Sequence, residues 1–485
     1  MLLATGVLMA VSGLPAWTVL VGTAMVFSLG GLALGVLTPA LFMALPLRLV
    51  GLLEHDLLQA LPLYVLVGAL LNRLPLIDTL FRVALHLLRR TAAAPYLAGL
   101  GLGALLAPMN GSVGASVTML SRAMGRRMQG WGMAPEAGAA LVCTASTVGV
   151  VVPPSLVLIL LGDAMLRAHT EALNASHGTA LVIDTQDIFH GALGPAAAML
   201  LLFAVLTWWL HRGANKVPAA APDAPAAGAA GPSRSDWAIA IGSVACILGL
   251  LGGVTLGLFY AVEGAATGAL VLCAFGLASR SLTREVGREV LRDTLATTGA
   301  LFALLMAATT YTLVLRALGT DVWIGDFLHS LPGGSPVALA VVLAMLGLSA
   351  FVLDAFEIIF VIVPIVMPPL LTLVPDATWV AVLTLLVLQM SFLLPPFGYA
   401  ILMATSLLPH TLSPRRLARA LAPYLLVQAA VIALVLCWPG VVWHTRAAAS
   451  TVGDGPVLSE EALQKLLDAQ RPEAEPEPEA PELKP

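Results

Sequence analysis

The chain has 485 residues, 59% hydrophobic and 11% charged, with a net charge of −4 and a mean hydropathy of +0.93. Soluble domains carry about 25% charged residues, so a soluble globular fold is excluded, and the negative balance leaves no electrostatic footprint for a nucleic-acid partner. Apolar runs of about 20 residues recur without the ~10-residue alternation of a membrane barrel, which predicts an all-α polytopic protein in a lipid bilayer.

The stretch Met1 to Trp17 has an apolar core but no basic flank. It reads as a first membrane helix broken at Gly13-Leu14-Pro15 rather than a cleaved signal peptide. Membrane segments are expected near 2–12, 16–36, 38–53, 58–72, 76–88, 93–107, 137–161, 189–210, 237–257, 259–278, 295–318, 337–352, 358–374, 378–394, 397–408 and 421–443. Several fall short of the ~20 residues of a full crossing. Short or broken backbone persists at membrane depth only where protein or a wet cavity covers it.

The spans divide into two membrane halves, 1–210 and 237–446. Between them, 211–236 reads as a disordered Ala/Pro/Gly-rich linker. His211, Arg212, Lys216 and Arg234 flank it and place it in the cytoplasm by the positive-inside rule. Leu166–Ile188, one crossing away, reads as an outer loop. Ser281–Asp293 carries Arg284, Arg288 and Arg292 at i, i+4 and i+8, and reads as an amphipathic helix at the cytoplasmic face. Arg316 and Asp321 are expected at a membrane border. The segment 447–485 reads as a short helix followed by a disordered acidic Pro/Glu tail.

The four cysteines, Cys143, Cys246, Cys273 and Cys437, have no metal or redox spacing and read as small apolar residues. Zinc-protease, serine-hydrolase and P-loop motifs are absent from the sequence. The informative feature is a duplicated pattern. Polar residues precede a Pro-Pro break twice, from Ser112 to Pro153 (153 − 112 = 41) and from Asp354 to Pro395 (395 − 354 = 41), with an offset of 354 − 112 = 242. Paired, interrupted apolar segments in two halves point to a transporter's binding site.

Asp354 and Glu357 lie in a run, Val337 to Val374, that contains no Lys or Arg. A carboxylate at the bilayer centre costs at least ~2.5–3.5 kcal/mol, and the i, i+3 spacing puts both on one helical face. Such acids hold a cation, relay protons or face a wet cavity. Asn110-Gly111-Ser112-Val113-Gly114-Ala115-Ser116 combines permissive glycines with neutral oxygen ligands; the competing reading is a small-residue helix-packing patch. Before each Pro-Pro stands a second polar step, Thr144, Ser146, Thr147 and Gly149 in the first copy and Gln389 and Ser391 in the second, with Thr147 and Gln389, and Gly149 and Ser391, again 242 apart. Prolines free the carbonyls four residues earlier, near Gly149–Val150 and Ser391–Phe392, and unwound carbonyls suit Na⁺. Glu263 opens an apolar segment and reads as a helix-start acid, with a gate residue as the alternative.

These residues resemble the large membrane subunit of the TRAP (tripartite ATP-independent periplasmic) transporters, over most of Val19 to Trp443. The likeness rests on Asn110-Gly111-Ser112-Val113, Ser146-Thr147-Val148-Gly149 with Pro153-Pro154-Ser155, Val262-Glu263-Gly264-Ala265-Ala266, Asp354 with Pro364 and Pro368, and Leu393-Leu394-Pro395-Pro396-Phe397-Gly398. Asn110, Val113 and Leu394 depart from that family's pattern. The resemblance implies two inverted repeats, each with a re-entrant hairpin and a broken helix, in an elevator-type transporter of the bacterial inner membrane. It implies Na⁺ as coupling ion, no other cofactor, and an organic acid held between the hairpin tips. Asn110, Gly111, Ser112, Thr147, Gly149, Asp354, Gln389 and Ser391 would then bind Na⁺. Ser116, Pro153, Glu357, Pro395 and Gly398 would face the carboxylate. The implied partners are a small four-helix membrane subunit, not fused at the N-terminus of this chain, and a periplasmic substrate-binding protein. Two alternatives stand beside this: a stand-alone Na⁺- or proton-coupled carboxylate permease, and an intramembrane enzyme using Asp354 and Glu357. The tandem pattern disfavours the enzyme, because an active site needs no second copy at a fixed offset.

Overall fold

In the computed structural model, residues 1–53, 56–110, 112–125, 128, 133–176, 183–213, 232–408 and 412–443 are described. All their regular structure is helical. The first half contains α1 (Leu2–Ser12), α2 (Ala16–Ala33), α3 (Ala40–Leu53), α4 (Asp56–Arg73), α5 (Leu76–Leu88), α6 (Ala94–Leu106), α7 (Val113–Met124), α8 (Pro135–Thr147), α9 (Leu156–Ser176) and α10 (Thr185–His211). The second contains α11 (Arg234–Thr255), α12 (Ala261–Ala278), α13 (Arg284–Ala317), α14 (Thr320–Ser330), α15 (Ser335–Ser349), α16 (Ala355–Leu373), α17 (Ala377–Leu393), α18 (Tyr399–Leu407) and α19 (Pro414–Cys437).

Seven of the described helices are long and apolar enough to cross a membrane, or eight if α4 and α5, bent by 65° at Leu74-Pro75, count as one span. The chain is thus a polytopic helical membrane protein. The expected early break is present: α1 ends on Gly13 with φ +62° and Pro15 precedes α2. Glycine takes the left-handed cap without a Cβ clash, and proline cannot continue the preceding helix.

Four boundaries differ from the sequence reading. The expected outer loop over 166–188 is largely helical, since α9 continues to Ser176. Met165, Ala168, His169 and Ala172 keep one face buried there, while Arg167 turns outward. The expected span 137–161 is two helices, α8 and α9, parted at 148–155. The amphipathic Ser281–Asp293 and the span after it form one 34-residue helix, α13, whose cap residue Thr283 accepts from the Val286 N–H at 3.3 Å. The helices α7 and α14 were not anticipated. Of the expected linker 211–236, residues 214–231 lie outside the described residues, as do the whole expected tail 447–485 and Gly111, while the linker's ends are helical rather than disordered, His211 closing α10 and Arg234 opening α11 behind its cap Ser233.

The duplication reappears in the elements. Helix α16 begins 242 residues after α7 (355 − 113 = 242), and α17 begins 242 residues after α8 (377 − 135 = 242). Both Pro-Pro peptide bonds, Pro153-Pro154 and Pro395-Pro396, are cis. Helices α2, α4, α12 and α13 pack as one group, and α6 to α10 interleave with α15 to α19 as another.

Candidate functional site

Each half places a polar turn at the start of a helix. In the first, a single 3₁₀ turn, Ala107–Asn110, ends α6, and Ser112 caps α7 by accepting from the Ala115 N–H at 3.1 Å. Ser116 donates back to the Ser112 carbonyl at 3.1 Å. Asn110 is buried, its Nδ2 facing Ser116 Oγ at 3.4 Å and Met119 Sδ at 3.1 Å, while its Oδ1 has no partner. A buried polar atom without a partner costs about 1–3 kcal/mol.

The first break closes against that tip. A Cβ on Gly149 would lie 2.5 Å from the carbonyl carbon of Ala107, so the two backbones meet where only glycine fits. Between them is a cavity of about 10 Å³ lined by Ser112, Ser116, Ser146, Gly149 and Ser155. That is room for about one water or one small ion, with four serines set among apolar residues in its wall. Ser146, part of the polar step before the first Pro-Pro, and Ser155, directly after it, both line this cavity. Thr147 is fully buried with its hydroxyl on the Thr144 carbonyl at 3.0 Å, and neither it nor Pro153 lines this cavity.

In the second half, Asp354 precedes α16 and its N–H donates to Glu357 Oε2 at 3.1 Å. Asp354 Oδ1 is buried without a partner. On α17, Gln389 is fully buried and neither amide atom is satisfied. Ser391 bonds the Val387 carbonyl at 2.9 Å and faces α15, with its Oγ 3.1 Å from where a Gly347 Cβ would stand. It lines a largely apolar cavity of about 960 Å³ between α15, α17 and α19 rather than the small serine-walled one. Gly398 precedes α18, and a Cβ there would meet the Phe392 carbonyl oxygen at 2.5 Å. Pro395 is half-buried. Two carbonyls expected to be free are occupied: Val150 O accepts from Ser155 Oγ at 3.3 Å, and Ser391 O accepts from the Leu394 N–H at 3.2 Å. The chain after each break folds back and uses them.

The halves meet at a residue the sequence did not flag. The Tyr399 hydroxyl lies 2.9 Å from where a Gly114 Cβ would be, two residues past Ser112. Cys143 on α8 donates to the Ala400 carbonyl at 3.5 Å, fixing the same junction. An aromatic residue at a helix start is common, so only the fold reveals this placement. Glu263 accepts from the Tyr260 N–H at 3.0 Å, the bond of a helix-start acid. Arg316 is held by Glu171 and by the Pro364 carbonyl. Among the described residues, no group of three or more His, Cys, Asp or Glu side chains is arranged to hold a metal.

The crystal structure of the Alcanivorax borkumensis YdaH transporter is similar, with a TM-score of 0.60, 16% identity, and coverage of 91% of this chain and 99% of that one. It supports the fold alone. The sialic acid TRAP transporter permease protein SiaT of Haemophilus influenzae is 21% identical over 396 residues, which are 81% of this chain and 60% of that protein. The C4-dicarboxylate TRAP transporter large permease protein DctM of Pseudomonas aeruginosa is 23% identical over 418 residues, covering 85% of this chain and 91% of its own length. The sequence profile of the tripartite ATP-independent periplasmic transporter DctM component matches residues 2–441, and with the duplicated, broken helical frame beneath that match, the chain belongs to this family of transporter permeases.

Proposed function

We propose that this chain is the large permease subunit of a Na⁺-coupled importer of an organic acid, working with a small four-helix membrane subunit and a periplasmic binding protein in a bacterial inner membrane. As a transporter permease it is not an enzyme, so the carboxylates need a transport role. The observation that carries the reading is the contact of Tyr399, just past the second Pro-Pro break, with Gly114 of the first polar turn, near a small cavity with four serines in its wall and room for about one ion. Neutral hydroxyl, amide and carbonyl oxygens suit a hard cation such as Na⁺. Asn110, Ser112 and Gly149, with Gly111 between them in sequence, serve the first ion site; Thr147 acts there by supporting the wall. Asp354, Gln389 and Ser391 serve the second. Ser116, Pro153, Glu357, Pro395 and Gly398 form the surroundings of the carboxylate.

The two halves, 1–210 and 237–446, act as inverted repeats, and the α6–α10 and α15–α19 group moves as an elevator against the α2, α4, α12 and α13 group. The relatives named for sialic acid and C4-dicarboxylates support a carboxylate cargo. A stand-alone permease is the second reading, favoured by nothing in the site itself. The test is uptake into vesicles holding the reconstituted subunits. Asp354→Ala is expected to abolish Na⁺-dependent uptake at unchanged expression; undiminished uptake would refute the assignment.

A further inference from the structure

A second polar cavity lies apart from the turns just described. It measures about 370 Å³ and is walled by α3 and α13 on one side and by α9 and α16 on the other, where the two packing groups face each other. That volume falls in the range of small-molecule sites. Its walls carry three guanidinium groups, Arg48, Arg167 and Arg316, and two carboxylates, Asp163 and Glu171, a surplus of one positive charge (3 − 2 = 1). Glu171 grips Arg316 with both oxygens, at 2.7 and 2.8 Å, and Arg167 pairs with Asp163 at 3.0 Å. Arg48 makes no ion pair among the described residues and is exposed. The wall contributed by α16 is a π-helical turn, Ile358–Ile362, that starts directly after Glu357 and supplies Ile359 and Phe360. Such turns recur at functional positions, and this one joins the cavity to the second carboxylate turn.

We propose that this cavity is an outer carboxylate-binding subsite, where a small organic anion rests on Arg48, beside the Glu171–Arg316 pair, before it reaches the Asp354–Glu357 turn. Planar guanidinium groups receive carboxylates in bidentate geometry, and Glu171 on Arg316 displays that geometry in place. The anion brings the negative charge that the walls lack. The inference rests on the reading that the chain carries organic acids and that the 166–188 region lies outside.

The test is isothermal titration of the purified full-length chain with succinate and with N-acetylneuraminate in Na⁺-free buffer, in an Asp354→Ala background that silences the inner site. At least one probe is expected to bind, about tenfold more weakly in Arg48→Gln, with binding retained in Arg48→Lys and weakened by salt. In reconstituted vesicles carrying Asp354, Arg48→Gln is expected to raise KM with Vmax nearly unchanged, the signature of lost capture. Binding of neither probe, or equal binding by Arg48→Gln, would overturn the proposal. So would an Arg48-dependent site that takes phosphatidylglycerol but no carboxylate. Uptake that proves independent of Na⁺ would defeat the coupling proposed above while leaving the titration readable, so the two failures are distinguishable.

Discussion

One hydrogen atom sets how closely the first break approaches the first tip. The side chain of Gly149→Ala would stand 2.5 Å from the Ala107 backbone, which cannot swing aside as a flexible side chain could. That variant is expected to lose about 1–3 kcal/mol of stability and most Na⁺-coupled uptake; an unchanged unfolding midpoint would contradict the packing. Gln389 makes a contrasting case. Its unsatisfied, fully buried amide is a cost, so Gln389→Leu is expected to raise stability by about 1–3 kcal/mol in Na⁺-free detergent while abolishing Na⁺-stimulated uptake. Stabilisation with normal uptake would leave Gln389 without a role in transport. Asn110, Ser112, Gly149, Asp354 and Gln389 stood out in the sequence as candidates because polar or flexible residues inside apolar runs are costly anomalies. Tyr399 did not, because an aromatic residue at the end of an apolar segment is ordinary until its neighbours are known.

At the scale of elements, charge was read more safely than length. The amphipathic pattern over Ser281–Asp293 was visible, but its fusion into α13 was missed, because the switch from charged to apolar residues after Asp293 was read as a boundary although nothing there interrupts a helix. That fusion brings Glu289 and Asp293 against Arg73 at the end of α4, with Asp293 2.8 Å away. All three side chains are about a third to a half exposed, so screening limits the contribution. Arg73→Ala is therefore expected to cost under ~1 kcal/mol, with the difference from the parent shrinking at high salt in a thermal unfolding series. The C-terminal part of α9 was misread as loop because polar Arg167, Thr170 and Glu171 masked a face of Met165, Ala168, His169 and Ala172 that still packs inward. Polar residues facing a cavity within a membrane protein look, in one dimension, like residues facing solvent.

For the whole molecule, the 242-residue offset proved the most reliable long-range signal, since it reappears in the starts of α7 and α16 and of α8 and α17. What it did not disclose is how thoroughly the halves interleave: α18 packs on α7 and α8, and α19 on α8 and α10. Contacts of that extent hold the halves together without a covalent link. Co-expressed fragments 1–213 and 232–485 are expected to co-purify and retain uptake; fragments that fail to associate would show that the connecting residues do more than join. Deleting Glu473–Pro485 is expected to leave uptake intact.

Tyr399 and Gly114 have a genetic corollary. A methyl group at residue 114 would press on the Tyr399 hydroxyl at 2.9 Å and on the Met403 terminal methyl at 3.3 Å. Selection for restored growth in a Gly114→Ala strain should therefore return suppressors at Tyr399 or Met403, almost 300 codons downstream, that trade bulk for the added carbon. A substitution in one half thus has its remedy in the other.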